Sequence, residues 1–413
     1  MCARARAAAP VSKGEAVAAT ELRLAARCRR LLARLQRRLL SVGRQRDDVG
    51  GRAFLASAHL LSTLGALLAT GDVAAADLPE DRADLMLHSF TGGGVDAWGP
   101  ALFVRKNVLG KVSMFGTYYA DIVSNASIDV VTTASPYRET RNEFGLGGDY
   151  AVRDSVLTLA GSYSTEPDYR ASAVNVDVST ETFSGMTTVG LGYTYGSDDV
   201  GKKGEGFFDH AKHWRYRVGV SQVLSPRWVA NANFEVVSDS GFLGSPYRVA
   251  LVFAAAVPER LPGTRTSRTL QFRVIGEVAP NVSVRGEYRY FWDTWDITAH
   301  NFGVGAATRL GEKWLLDAYG RYYSQNGALF FSNNATSETE YVTRNRQLSP
   351  FDSWSVGGKV TYALAGVPGR YEVLLSGALE YWQTNYSEFT DLRTGSLYSY
   401  NATVAQVFAT LLF

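Results

Sequence analysis

The sequence predicts an all-β protein: an antiparallel transmembrane β-barrel of about 16 strands, with 14 or 12 strands as the alternatives. Segments of about 10 residues with alternating polarity recur from Ala83 to Phe413. The connections between them alternate between short and long, which is typical of short periplasmic turns and long extracellular loops. The chain also ends on an amphipathic strand with a terminal aromatic residue, which is rare in soluble domains.

The C-terminal strand, residues 402–413, has one apolar face. Counting back in twos from Phe413 gives Leu411, Ala409, Val407 and Ala405, and Thr410 and Gln406 fall between them. Because the closing strand of a barrel pairs with the first strand, we predict that Phe413 faces lipid at the barrel-closing seam. We also expect the barrel assembly machinery to read this terminal aromatic residue.

The strands upstream carry an apolar face that ends in Tyr or Trp and an opposite face with repeated Arg and Glu. Terminal aromatic residues suit the headgroup level of a lipid-facing strand, and the charges need the water of a lumen. The predicted lumen and constriction residues are Arg141, Glu143, Arg215, Arg217, Arg273, Glu277, Arg285, Glu287, Arg289, Asp317 and Arg321. Further acids predicted to face inward are Asp149, Glu235, Glu372 and Glu380.

Turn and loop signals divide these strands. The predicted short turns are residues 107–110, 153–155, 225–227, 279–281 and 311–313. The predicted long loops are about residues 125–137, 196–211, 239–263, 326–352 and 384–397. The loop 239–263 is long and apolar, which suits a segment that folds into the barrel as a constriction or contacts a partner.

The first 76 residues indicate export. Residues 1–52 form a basic leader, interpreted either as an extended leader or as the product of a start codon assigned too early. Residues 53–76 supply the apolar h-region and the c-region of a signal peptide, and Ala74 and Ala76 predict cleavage after residue 76. Residues 77–413 then form a single outer-membrane β-barrel domain.

Composition excludes several other classes of protein. Residues 1–76 hold 13 Lys/Arg and 5 Asp/Glu, residues 77–413 hold 29 and 35, and this acidic body argues against nucleic-acid binding. Both cysteines, Cys2 and Cys28, lie in the leader, so the body has neither a disulfide nor a thiolate metal site. No run of about 18 apolar residues follows residue 80, so helical spans are not expected.

Several stretches resemble the DUF3570 family of bacterial outer-membrane barrels. They are SNASIDVVTTASPYRETR at 124–141, LPEDRAD at 78–84, GVSQVL at 219–224, DSGFLGSPYR at 239–248, GEYRYFWDTWDITAH at 286–300 and GRYYSQ at 320–325. The resemblance covers essentially the whole of residues 77–413. It implies an outer-membrane barrel from a Gram-negative bacterium, and it implies no activity because the family has no settled one.

Two segments near one another in the sequence are candidates for binding cations. Asp209, His210 and His213 offer a carboxylate and two imidazoles for a metal, and the alternative is a solvated loop that enters a strand. Residues 197–199, reading SDD, and the glycine-rich stretch 201–206 suggest Ca²⁺ or a cation that bridges lipopolysaccharide. They lack the regular ligand spacing of a calcium loop.

A third candidate lies near the outer rim. Asp293, Asp296 and His300 are residue types that outer-membrane hydrolases use as acid, base or orienting group. The alternative is a tight turn in which an Asp side chain caps the backbone. The sequence does not show which Ser or Asp lies beside His300 across the strands.

The leading functional prediction is a porin-like barrel, neither an enzyme nor a cofactor protein, that lets a small hydrophilic solute diffuse through a charged lumen. The competing interpretation of the lumen is that its charges pair and fill it. A second prediction is a non-conducting barrel that anchors a periplasmic or surface protein in an export or redox assembly, and a third is an outer-membrane hydrolase. The expected partners are outer-membrane lipid, lipopolysaccharide, the assembly machinery and a periplasmic protein, without nucleic acid.

Overall fold

A computed structural model describes residues 76–125 and 137–413 of the chain. The leader and the signal peptide, as far as residue 75, lie outside the described residues, and so does most of the predicted loop 125–137. Sixteen strands of the described residues close into one antiparallel barrel, which confirms the predicted fold class and strand number.

The strands follow one another along the chain. They are β1 (Arg82–Gly92), β2 (Val95–Asn107), β3 (Val112–Asn125), β4 (Tyr137–Val152), β5 (Ser155–Thr165), β6 (Tyr169–Thr182), β7 (Thr187–Lys202), β8 (Gly206–Ser225), β9 (Trp228–Gly241), β10 (Val249–Val252), β11 (Ala255–Pro258), β12 (Thr264–Ala279), β13 (Val282–Asp293), β14 (Thr298–Leu310), β15 (Trp314–Gln325), β16 (Phe351–Val367), β17 (Tyr371–Thr390) and β18 (Leu397–Leu412). A 3₁₀-helix covers Arg346–Leu348. The short strands β10 and β11 form a separate hairpin, so β9 pairs with β12 in the barrel.

The first and last strands close the barrel in register. Arg82 pairs with Leu412 at one end and Gly92 pairs with Ala402 at the other. The backbone N–H of Phe413 extends this pairing by donating to the carbonyl of Asp81 at 3.1 Å. The C-terminal strand is therefore the closing strand, as its alternation predicts.

The barrel has a turn end and a loop end. The turn end carries the start of β1, the end of β18 and all five predicted short turns, together with two more turns, residues 183–186 and 368–370. Asn281 and Gly311 sit in these turns with φ of 65° and 63°. Such a backbone suits glycine, which has no Cβ, and asparagine, whose short side chain tolerates it.

At the loop end two predicted long loops are wrong. Residues 196–211 belong mainly to β7 and β8, and β17 continues through the first half of 384–397, as far as Thr390. The polar composition that suggests loops is compatible with strands whose two faces are both in water, above the apolar band. The loops 242–263 and 326–350 are long, as predicted.

The outer wall is apolar and exposed. Val304 is 67% exposed and Leu146 is 65% exposed, and side chains at every second position of their strands share this face. Aromatic pairs mark both edges of the apolar band: Tyr195 and Trp214 towards the loop end at 5.9 Å between ring centres, and Trp314 and Tyr362 at the turn end at 4.6 Å. No helix in the ranges 76–125 and 137–413 is long and apolar enough to cross a membrane.

Two loops pack together into a cap at the loop end. The cap consists of residues 242–263 and 326–350, joined by backbone bridges from Val252 to Ala335 and from Arg260 to Val342. Its apolar centre contains Trp295 from the β13–β14 turn, with Ala328 and Leu348 from the second loop. A cap with its own buried cluster is an ordered structure and not a set of independent loops.

Candidate functional site

The inner face of the barrel carries the predicted charged residues. Strand pairing and alternation place them on the face opposite the exposed apolar side chains, because residues two apart in a strand share a face. The set placed inward is Arg141, Glu143, Arg215, Arg217, Arg273, Glu277, Arg285, Glu287, Arg289, Asp317 and Arg321. Phe413 lies on the outer face and is partly exposed, and the hydroxyl of Thr410 donates to Asp84 at 2.6 Å.

One ion pair of the inner wall joins two strands that are not neighbours. A terminal nitrogen of Arg217 on β8 lies 2.9 Å from Asp177 on β6. The residue between them on β7 is Gly192, which pairs with Asp177 on one side and with Arg217 on the other. A Cβ at Gly192 would lie 2.2 Å from Asp177 Oδ1 and 2.7 Å from Arg217 Nε. The glycine therefore leaves the space that lets the guanidinium lie flat on the wall.

The same arrangement recurs farther round the barrel. Arg285 on β13 donates from both terminal nitrogens to Asp317 on β15, at 2.6 and 2.7 Å. Gly305 on β14 lies beneath, and a Cβ there would come within 2.6 Å of the guanidinium carbon. Two parallel hydrogen bonds make this the most specific geometry that an Arg–carboxylate pair adopts.

A third bridge uses a tyrosine. The hydroxyl of Tyr319 on β15 donates to Glu380 on β17 at 3.2 Å, across Gly357 of β16. A Cβ at Gly357 would lie 2.7 Å from the tyrosine oxygen. Arg321 contributes a longer contact of 3.9 Å to the same carboxylate and lies 4.5 Å above the Trp382 ring. Each of the three bridges thus spans a strand that offers glycine.

Other inner-wall charges are more loosely held. Arg273 approaches Glu287 only to 3.8 Å, and Arg215 approaches Glu235 only to 3.7 Å. These separations exceed hydrogen-bond length, so each guanidinium keeps free donors. Within the described residues Arg289 has no carboxylate within 4.0 Å, and Gln271 and Asn301 are its cross-strand neighbours.

Part of the inner wall encloses a cavity of about 330 Å³ between β4 and β9. Arg141, Glu143, Arg215 and His213 line it, with small residues such as Ser162 and Gly196. His213 is one of the predicted metal ligands. Its two ring nitrogens instead lie 2.8 Å from Asp239 and 2.9 Å from Asp198.

The predicted metal ligands do not converge. Asp209, His210 and His213 lie in strand β8, and residues three apart in a strand point to opposite faces. His210 is exposed and pairs with Asp199 at 2.7 Å, whereas His213 faces the cavity. The loop interpretation of this segment is also wrong, because the β7–β8 hairpin continues through it.

A different group of acids lies close together at the loop end. Within the part of the chain that the structure describes, carboxylate oxygens of Glu139, Glu166 and Asp168 lie within 4.8 Å of one another. Burial raises the pKa of the Glu166 carboxyl, opposed by the charge of Arg141 and assisted by that of Asp168. Asp168 accepts a hydrogen bond from the hydroxyl of Tyr247 in the cap, and burial together with this bond raises the pKa of Tyr247 to about 12.

The predicted hydrolase residues are also separated. Asp293 caps the β13–β14 turn by accepting from the N–H groups of Trp295 and Ile297, both at 2.9 Å, and pairs with Arg265. His300 lies exposed on the outer face, where its Nδ1 is 2.9 Å from the hydroxyl of Tyr288. Asp296 is exposed in the turn. The capping alternative therefore describes Asp293, and the three residues form no common site.

One inner cluster is not predicted by the sequence reasoning. His88 Nε2 lies 2.6 Å from Asp121 and 3.1 Å from the hydroxyl of Tyr119, and the His88 and Tyr119 rings stack at 4.9 Å. The alternation of β1, with Leu85 and Leu87 outward, is the signal that places His88 inward. No such signal marks Tyr119 and Asp121 on β3 as its partners, because alternation shows which face a residue is on but not its position along the barrel axis.

Comparison with known proteins gives a family and a set of barrels. A family model described as "Protein of unknown function (DUF3570)" matches residues 69–209 and 207–407. No curated protein matches the chain. A bacterial polysaccharide outer membrane secretin is similar at 9% identity and a TM-score of 0.48, covering 81% of this chain and 100% of its own.

Two further structures are similar in the same way. The CymD monoaromatic hydrocarbon channel has 12% identity and a TM-score of 0.41, covering 81% of this chain and 89% of its own. A loop L8 deletion mutant of OmpT, an outer membrane protein of Vibrio cholerae, has 10% identity and a TM-score of 0.41, covering 80% and 97%. Similarity at this level carries no argument about what the present chain transports or binds.

Proposed function

We propose that this chain, which belongs to the DUF3570 family, is a porin-like channel of the outer membrane that passes a small hydrophilic solute. The observation that carries the proposal is that the inward arginines are paired with carboxylates and yet remain exposed. The side chains of Arg141, Arg215, Arg217, Arg273, Arg285 and Arg321 contact carboxylates on the wall, yet they stay between 27% exposed for Arg285 and 49% exposed for Arg215. A packed ionic core would bury such groups, because unhydrated charge is costly.

The outer wall supports the membrane location. Exposed apolar side chains between two aromatic edges match the lipid-facing band of an outer-membrane barrel. In that orientation the turn end faces the periplasm and the loop end, with the cap, faces the exterior. The proposal assigns no catalytic turnover and no cofactor to the chain.

Wall pairing supports the proposal that the lumen stays open although it carries many charges. A guanidinium that lies flat over a glycine, as Arg217 does over Gly192, leaves the centre of the barrel free. The paired charges still present polar edges to a passing solute, which replaces part of its hydration shell at each step.

Conductance in planar bilayers tests the proposal. Purified full-length protein, folded in detergent and added to one chamber, should give discrete conductance steps in potassium chloride. A heat-denatured sample of the same preparation is the control. Folded, heat-modifiable barrel that inserts into vesicles but gives neither conductance nor solute efflux would overturn the channel.

A non-conducting anchoring barrel is the second candidate, and the cap favours it. Leu329 and Phe253 project from the cap with large exposed side chains, and the cap has its own apolar centre. An ordered surface of this kind suits contact with a protein outside the membrane. Co-purification of one defined partner that depends on Leu329, without conductance, would favour this function.

A further inference from the structure

We propose that the cavity between β4 and β9 binds the carboxylate group of a small aliphatic organic anion, held by Arg141 and Arg215. This inference rests on the proposed channel, because the cavity is part of the inner wall that a solute of the channel would pass. It assigns the transported solute a chemical class.

The acids of the cavity are already engaged. Asp239 and Asp198 each face one ring nitrogen of His213, at 2.8 and 2.9 Å, and Asp198 also accepts from the hydroxyl of Tyr169. Carboxylate oxygens only accept hydrogen bonds, so in this arrangement both ring nitrogens of His213 carry protons. The positive ring between the two acids offsets part of their charge.

The cations of the cavity keep donors available. Arg215 lies 3.7 Å from Glu235 and is 49% exposed, so its guanidinium makes no short hydrogen bond there. Arg141 donates from Nε to Ser164 at 3.0 Å and from one terminal nitrogen to Glu143 at 2.5 Å. Because a guanidinium has five N–H donors, the fork of Arg141 still has room for a ligand oxygen.

Shape and composition narrow the ligand class. The wall between the two arginines is lined by small residues, among them Ala171, Ala173, Gly196 and Ser162, which leave a cavity of about 330 Å³. A water molecule occupies about 30 Å³ of liquid volume, so a molecule of several heavy atoms fits. Among the described residues no Phe, Tyr or Trp side chain lines the cavity, which disfavours ligands that need such a ring to stack on. Guanidinium forks match the two oxygens of a carboxylate.

The charge balance of the cavity favours weak binding. Arg141, Arg215 and the doubly protonated His213 face Glu143, Asp198 and Asp239. The cavity is therefore close to neutral before a ligand arrives, and the attraction comes from free donors and not from net charge. Weak binding suits a channel, since a solute must enter a site and also leave it.

Propionate is a suitable probe, and saturation-transfer NMR reports its binding without any need for conduction. We expect full-length barrel in detergent micelles to transfer saturation to the propionate protons. Arg215→Gln should reduce that transfer at least threefold, and Arg141→Gln should do the same. The matched control is Arg273→Gln: Arg273 also faces inward, is 43% exposed and lies 3.8 Å from its acid, but it lies outside the cavity.

The outcomes separate the site from the channel. If saturation transfer depends on Arg215 and Arg141 but not on Arg273, and the barrel does not conduct, the binding site is supported and the channel function is contradicted. Transfer that is absent from the wild type, or equal in all variants, overturns the site even if the barrel conducts. Heat-modifiability of each variant shows that it is folded, and if Arg215→Gln does not fold, Arg141→Gln alone carries the test.

Discussion

The ammonium nitrogen of Lys106 lies 4.5 Å from the centre of the Phe413 ring, on the outer face at the turn end. The same nitrogen is 2.8 Å from the carboxylate of Asp81, and the N–H of Phe413 donates to the Asp81 carbonyl at 3.1 Å. We call these three residues the seam latch. They tie β2 to both sides of the β1–β18 pair, so the terminal aromatic residue is held by contacts and not only by lipid.

Changing Phe413 should impair barrel closure. Phe413→Asp removes the cation–π contact, which is worth about 0.5–1 kcal/mol at an exposed site, and places a charge at the lipid face. We expect a severalfold lower fraction of heat-modifiable protein in the outer membrane. Thr410→Ser, on the inner face of the same strand, is the control and should fold normally. Equal folded fractions for the two variants would contradict the role of Phe413 in the seam.

A side chain at Gly192 should break the wall bridge above it. Gly192→Ala places a Cβ against Asp177 and Arg217, and we expect the free energy of unfolding to fall by about 1–2 kcal/mol. Gly190→Ala is a matched control, because Gly190 lies on the same strand and face with open space around it. Its effect should stay within about 0.5 kcal/mol. Urea unfolding in micelles measures both, and equal values would show that the bridge does not need the glycine.

Charge reversal should separate the inner wall from the outer wall. Arg289→Glu changes an inward group without a carboxylate within 4.0 Å among the described residues, so folding should survive and ion preference should shift towards cations. Val304→Arg puts a charge on the outer face and should cost about 2–4 kcal/mol of folding free energy near mid-depth. Reversal potentials and folded yield provide the two measurements. Loss of folding in Arg289→Glu would argue for a packed lumen.

The seam latch should weaken in acid. The hydrogen bond from Lys106 holds the pKa of Asp81 below its ordinary value, with the N–H of Asn107 assisting. A carboxyl with a lowered pKa stabilises the folded state above its ordinary pKa of about 3.9, and the stabilisation is lost as pH falls through the lowered value. We expect the heat-modification temperature to fall below about pH 4. Asp81→Asn should show a smaller fall, and an identical fall in both proteins would exclude Asp81 as the cause.

The sequence predicts the faces of the strands better than their neighbours. A period of two residues fixes which side of a strand is apolar, so alternation alone assigns Arg217 and Phe413 to opposite faces. Alternation does not give the position of a residue along the barrel axis, however, and so it does not identify the residues that meet across strands. The partner of Arg217 is Asp177, two strands away. Nothing local marks that pair except the glycine between them, which in the sequence is one of 40.

The wrong loop prediction for residues 196–211 has a related cause. Residues 196–211 are rich in Gly, Asp and Lys, which indicates a loop when a strand is expected to have one apolar face. Above the apolar band neither face of a strand is in lipid, so these residues can form a strand without an apolar face as long as their backbones pair. The β7–β8 hairpin therefore extends to Lys202 and Gly206. The metal prediction fails for the same reason, because His210 and His213 could share a site in a loop but point to opposite faces of a strand.

The bridges over glycine also act on the shape of the whole tube. Two adjacent strands can bend relative to each other about the hydrogen bonds that join them. A side-chain contact that reaches past one strand to the next opposes such bending. Three such contacts lie around the circumference of the barrel: Arg217 to Asp177, Arg285 to Asp317 and Tyr319 to Glu380. Under lateral pressure from the surrounding lipid, the wall should therefore keep a round cross-section where these bridges stand.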